Sequence, residues 1–102
     1  MANTYPTGSN ICFDVEFTDP LTSAYVDPTT VEFWIVSPET GRIVGNYTYP
    51  ADPEVVKDAT GKYHCNYVIN FPGEWPYGFV GAGAYVAAAE DYVCARATRR
   101  PA

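Results

Sequence analysis

The sequence predicts an all-β fold, a single β-sandwich of about seven antiparallel strands, and three observations predict it. Strand formers dominate: nine Tyr and five Phe accompany frequent Val, Ile and Thr, whereas Leu occurs once, at Leu21. Apolar and polar residues alternate over short runs, which is the period of a half-buried strand. Pro, Gly and Asp punctuate these runs at short intervals, as turns between strands require. No run carries the i, i+3, i+4 spacing of an amphipathic helix, and the alanines of "YVAAAEDYVCA" extend no such stripe.

The elements follow in order. Residues 11–17, "ICFDVEF", place Ile11, Phe13, Val15 and Phe17 on one face and Cys12, Asp14 and Glu16 on the other. "TDPLTSAYVDPTT" holds two Asp-Pro pairs and reads as a loop. Residues 31–36 set Val31, Phe33 and Ile35 against Glu32, Trp34 and Val36, and "SPETG" turns the chain into a hairpin with 42–49. A short strand near 55–57 and the turn "DATG" lead into 62–69, where Tyr63, Cys65, Tyr67 and Ile69 face inward and His64 faces outward. Residues 75–81 stack Trp75, Tyr77 and Phe79, and Pro76 there predicts a sheet edge or a strand start, because proline has no amide to donate. The last strand spans 85–95. The chain therefore divides into an arm (1–10), a sandwich (11–95) and a basic tail (96–102).

Charge is segregated. All twelve carboxylates but only three cations precede residue 96, so a body of −9 carries a tail of +3 from Arg96, Arg99 and Arg100. An acidic body repels phosphate, which argues against nucleic acid as a partner. The tail reads either as a solvated terminus or as an arm for an acidic neighbour, another copy of the chain included. No apolar run is long enough to span a membrane, and "MANTYPTGSN" has neither the basic nor the apolar region of a signal peptide.

Chemistry is sparse. His64 is the sole histidine, and no Cys-x-x-Cys, nucleophile elbow or phosphate loop precedes a helix. The reading is a non-enzyme without cofactor or resident metal. Asp19, Asp27 and Asp52 each precede Pro and read as turn formers; a calcium site in their loops lacks any recognised ligand spacing. "NYT" at 46–48 matches a glycosylation sequon but reads as strand. Surface for partners remains: Tyr5, Tyr25, Tyr47 and Tyr49 stand near turns, where tyrosine suits interfaces, and with Arg96, Arg99 and Arg100 they form the candidate contact set.

"DATGKYHC" matches the second half of the immunoglobulin strand F signature, with Tyr63 two residues before Cys65, and Cys12, Trp34 and Cys65 occur in the right order. Parity argues against a Cys12–Cys65 bridge, since one thiol faces out and the other in; a bulge near Cys12 would be needed. Cys94 on the last strand is placed to neighbour Cys12 if first and last strands pair, and the default is three reduced thiols.

Nearly the whole chain, residues 11–94, resembles small immunoglobulin-like virion proteins of tailed bacteriophages. The resemblance rests on "DPTTVEFWIVSPETG", "VVKDATGKY", "PGEWPYGFVGAG" and "AAAEDYV" at their joint spacing. Pro76, Gly78 and the cysteines depart from it, leaving the exposed side of that strand open. The resemblance implies a capsid decoration or cement protein that binds the major capsid protein and copies of itself as a homo-oligomer on the virion, assembled in the bacterial cytoplasm. A head–tail connector or tail component is the alternative within that class. A host-surface or carbohydrate-binding module, with Trp34 stacking on sugar rings, is the alternative outside it, as is a secreted adhesion domain with an oxidised Cys12–Cys65 pair.

Overall fold

The computed structural model describes residues 4–83 and 86–97. Eight strands form two sheets: β1 (Thr4–Pro6), β2 (Ser9–Glu16), β3 (Thr30–Val36), β4 (Ile43–Tyr49), β5 (Val55–Ala59), β6 (Lys62–Ile69), β7 (Gly73–Ala82) and β8 (Ala87–Arg96). One sheet has the order β1-β8-β7-β3-β4, and the other β2-β6-β5. With β2 to β8 in the places of strands B, C, C′, D, E, F and G, this is the strand order of an immunoglobulin-like sandwich.

The expected alternation holds. Ile11, Phe13 and Phe17, then Val31, Phe33 and Ile35, then Tyr63, Cys65 and Ile69 are buried, while their sequence neighbours are exposed or half-buried. Trp75 and Phe79 enter the same core from β7. Rings from both sheets meet there: Phe13 lies 4.5 Å from Tyr77 and 5.4 Å from Phe33, and Phe33 lies 5.0 Å from Phe79. Each buried side chain of this size contributes about 1.5–3 kcal/mol by leaving water. The indole N–H of Trp75 donates to the Phe71 carbonyl at 2.9 Å, so its polar edge is buried without loss.

Three expectations change. The segment 1–10 contains β1, which runs parallel to β8 in the register Thr4↔Cys94 to Pro6↔Arg96, and the first residues of β2. The strand that carries "KYHC" is β6, paired directly with β2, so it occupies position E and not F. Cys12 and Cys65 therefore share one sheet, with Cys12 opposite Asn66 and Cys65 opposite Phe13 on the other face, and all three cysteines are free. Cys94 lies in the other sheet, because the terminal pairing uses β1 and leaves Cys12 beyond the crossover. As the alternation predicts, Trp34 faces outward between buried Phe33 and Ile35, and the buried tryptophan is Trp75.

Pro76 sits inside β7, between β8 and β3, yet the β3 ladder ends at Ile35↔Tyr77, so the proline lies just past the last pair on that side. The sheet is locally an edge at the residue that cannot donate. The molecule is elongated, 51 × 27 × 22 Å with a radius of gyration of 14.7 Å, against about 13 Å for a compact chain of this length. β7 and β8 are the two longest strands, at ten residues each.

Candidate protein-interaction surfaces

Asp27 is more than a turn former. Its Oδ1 accepts from the Gly61 amide at 2.8 Å and the Tyr63 hydroxyl at 3.2 Å, while Oδ2 meets Lys57 Nζ at 2.9 Å. The Lys57 hydrogen bond, then the Gly61 and Tyr63 donors, hold its carboxyl below the ordinary range. Burial, with Asp27 beside it, pushes the Tyr63 phenol up to about 12. Gly61 is the residue this requires: its φ is +73°, and a Cβ there would stand 2.6 Å from the Phe17 carbonyl. Asp19 and Asp52 do act locally, accepting from Leu21 N and Thr48 N, each at 2.8 Å.

Among the expected contact residues, Tyr5, Tyr47 and Tyr49 are half-buried and pack against the core. Tyr49 also meets Tyr63 edge-on at 5.4 Å. Tyr25 is exposed, with Lys62 Nζ 4.8 Å from its ring centre and Glu16 3.5 Å from its hydroxyl. Arg96 is exposed at the end of β8, while Arg99 and Arg100 lie outside the described residues. The structure thus gathers no tyrosine cluster; it spends three of the four on the flank of the core.

The outer face of the five-stranded sheet carries a different group of side chains. The ladders align Asn46, Trp34, Gly78 and Glu90 in one row across the outside of the five-stranded sheet. The adjoining rows are Thr48–Glu32–Val80–Ala88, and Pro76–Tyr92. A Cβ on Gly78 would stand 2.6 Å from two ring carbons of Trp34 and 2.7 Å from its nitrogen, so the indole lies over the glycine backbone. The indole takes the space that a side chain at Gly78 would fill. Among the described residues, nothing pairs with the side chains of Glu32, Asn46 or Glu90 or with the Trp34 N–H. Arg96 is the sole cation in the five strands, against Glu32, Glu74, Glu90 and Asp91.

The edge beside that face is open. β8 pairs with β7 over all nine registers from Ala95 to Ala87, but with β1 only from Cys94 to Arg96. From Ala87 to Tyr92 every residue is exposed on both faces, although Ala87, Ala89 and Asp91 share the parity of buried Val93 and Ala95. The smaller sheet does not reach under this stretch. Among the described residues, no strand receives the backbone N–H and C=O groups of the outer edge of β8 from Ala87 to Tyr92.

The outer face of the smaller sheet is polar. His64 Nδ1 donates to the Asp58 carboxylate at 2.8 Å, and a shallow depression lined by Asp14, Glu16, Asp58 and Lys62 lies beside it. Cys12 shares this face, but burial and the charges of Asp14 and Asp58 raise its thiol pKa, opposite to what a thiolate nucleophile needs. No group of three or more metal-ligating side chains occurs among the described residues, the Asp-Pro loops included.

Fold and surface together define an immunoglobulin-like β-sandwich whose larger sheet offers an open strand edge and an acidic aromatic face. No protein-family model, curated protein or solved structure matches the chain.

Proposed function

We propose that this chain is a structural protein that works by binding other protein surfaces, and that its partner is the major capsid protein of a tailed-phage particle, which it decorates in many copies. The open edge of β8 carries the reading. Six consecutive residues, Ala87–Tyr92, are exposed on both faces and, among the described residues, have no strand along one edge, with small alanines that let another backbone approach. Such an edge is a template for strand addition, and an unprotected one is an aggregation hazard unless a partner covers it. The sequence resemblance to virion proteins supplies the identity of the partner. Many weak contacts repeated over a shell then add up through multivalency.

Copy number in purified particles tests the reading: hundreds per particle for a shell protein, a dozen or fewer for a connector, none if the proposal is wrong. Ala88→Pro and Ala89→Pro test the edge. Alternate residues of β8 point their amides toward β7, so one proline breaks that ladder and lowers Tm. The other removes an edge donor alone, and it should lose shell binding at an unchanged Tm. Full shell binding by that second variant overturns the edge.

A further inference from the structure

The Trp34 face carries an inference that rests on the assembly reading above and goes deeper. An indole lying on a glycine backbone presents its other side outward, and among the described residues no third layer covers this sheet. Glu32 stands two residues along β3 from Trp34, and Glu90 stands one strand beyond Gly78, on the side over which the indole extends. Both carboxylates, the Asn46 amide and the indole N–H are without a partner among the described residues. An aromatic face between two unpaired carboxylates is complementary to a planar cation, which it attracts by ring quadrupole and charge together. A guanidinium fits both demands, since it stacks flat and donates in its own plane to carboxylates at its sides.

The chain supplies that cation. Its basic residues past the sandwich are Arg96, Arg99 and Arg100, in "RATRRPA". Arg96 ends β8, six residues from Glu90, which is about 20 Å along an extended strand. From Arg96 the backbone spans at most about 10 Å to Arg99 and about 14 Å to Arg100. Reaching its own platform would take a reversal of the chain at nearly full extension of backbone and side chain, so a neighbour's platform is the easier target.

We infer that the outer face of the five-stranded sheet is an arginine-binding platform for the C-terminal segment of a second copy, with Arg99 or Arg100 stacked on Trp34 between Glu32 and Glu90. The contact is heterologous, tail of one copy to platform of the next, so it propagates from copy to copy as a lattice contact does. It also accounts for the segregation of charge between body and tail.

Sedimentation of the full chain over a range of concentrations, without any shell protein, tests this. Self-association should weaken at least tenfold in Trp34→Ala, in Glu32→Gln/Glu90→Gln and in Arg99→Ala/Arg100→Ala, all with wild-type circular dichroism. The glutamine pair keeps the packing of the face intact and guards against a folding artefact in Trp34→Ala. Mixing Trp34→Ala with Arg99→Ala/Arg100→Ala should restore dimers, because one intact tail then meets one intact platform. Salt should weaken the contact as it screens the charges. A wild-type chain that stays monomeric, or variants that associate like wild type, overturn the proposal. Quenching of indole emission by methyl glucoside, with association unchanged in the variants, would assign the face to glycans instead and overturn it too. A chain that decorates shells yet stays monomeric overturns this contact alone. One that self-associates but never joins a shell overturns decoration alone.

Discussion

Tyr63 donates its hydroxyl to Asp27 Oδ1 at 3.2 Å across 36 residues of sequence. That bond, with Gly61 N–H on the same oxygen and Lys57 on the other, ties the loop before β3 to the β5–β6 hairpin. In an immunoglobulin domain the corner tyrosine sits at the start of strand F and bonds to backbone. Here the tyrosine is on strand E and bonds to a carboxylate, so the device has a titratable partner.

The tie gives stability a dependence on pH at both ends of the scale. The Asp27 pKa is lowered in the fold, so its contribution is present above the unfolded value near 3.8 and is lost as pH falls through the folded one. Tyr63 is raised from 10.0 to about 12, so its contribution is complete below pH 10 and is lost as pH rises through the folded value. Lys57, raised above 10.5, loses its share in the same alkaline direction. Urea midpoints against pH should show a plateau with an acid and an alkaline fall. In Asp27→Asn the acid fall should shrink.

Tyr63→Phe and Asp27→Ala separate the members of the tie. The phenylalanine keeps the buried ring and removes one hydrogen bond, at a cost of about 1 kcal/mol. The alanine strands Tyr63 OH and Gly61 N–H together and leaves Lys57 without its carboxylate, so it should cost more than Tyr63→Phe. Equilibrium denaturation decides the order. Equal losses would mean that water replaces Asp27 without penalty.

Gly78→Val should destabilise, although valine is the better strand former. A Cβ at this position would lie 2.6 Å from the Trp34 ring, so the indole must swing off the sheet. Overpacking of this kind costs about 1–3 kcal/mol. The same substitution in a Trp34→Ala background should be neutral or stabilising, because the clash is gone and the propensity gain remains. A double-mutant cycle by chemical denaturation measures the coupling. Coupling near zero would show that the indole does not depend on the missing side chain.

What was legible in the sequence follows from what strand parity encodes. Phe13, Phe33, Cys65 and Phe79 fall on the expected faces, because one buried face imposes a period of two whatever the neighbours are. Parity says nothing about which strand lies beside which. The strand position of "KYHC" is therefore not encoded by its own residues, and β1, at three residues, is too short to show a period. Parity is equally silent on the surroundings of the candidate contact residues. Tyr5, Tyr47 and Tyr49 stand near turns in sequence, but their rings turn onto the core flank. The Trp34 face had one readable signal, the glycine at 78 in an otherwise bulky strand. Its meaning depends on the register Trp34↔Gly78↔Glu90, which exists only in the assembled sheet.

The three cysteines provide the last prediction, and it separates this sandwich from a disulfide-bonded relative of the same topology. A Cys12–Cys65 bridge would need both thiols on one side, whereas Cys12 is exposed on the outer face and Cys65 is fully buried on the inner. Burial, with Glu54 and Cys12 nearby, pushes the Cys65 thiol up to about 11, so neither access nor ionisation favours attack on it. A thiol reagent at neutral pH should label Cys12 first and Cys94, half-buried, more slowly. Cys65 should react only as fast as the molecule opens, and three thiols should titrate after denaturation without reductant. A count of one in that denatured sample would mean a bridge, and with it a pairing of β2 and β6 unlike the register Phe13↔Cys65.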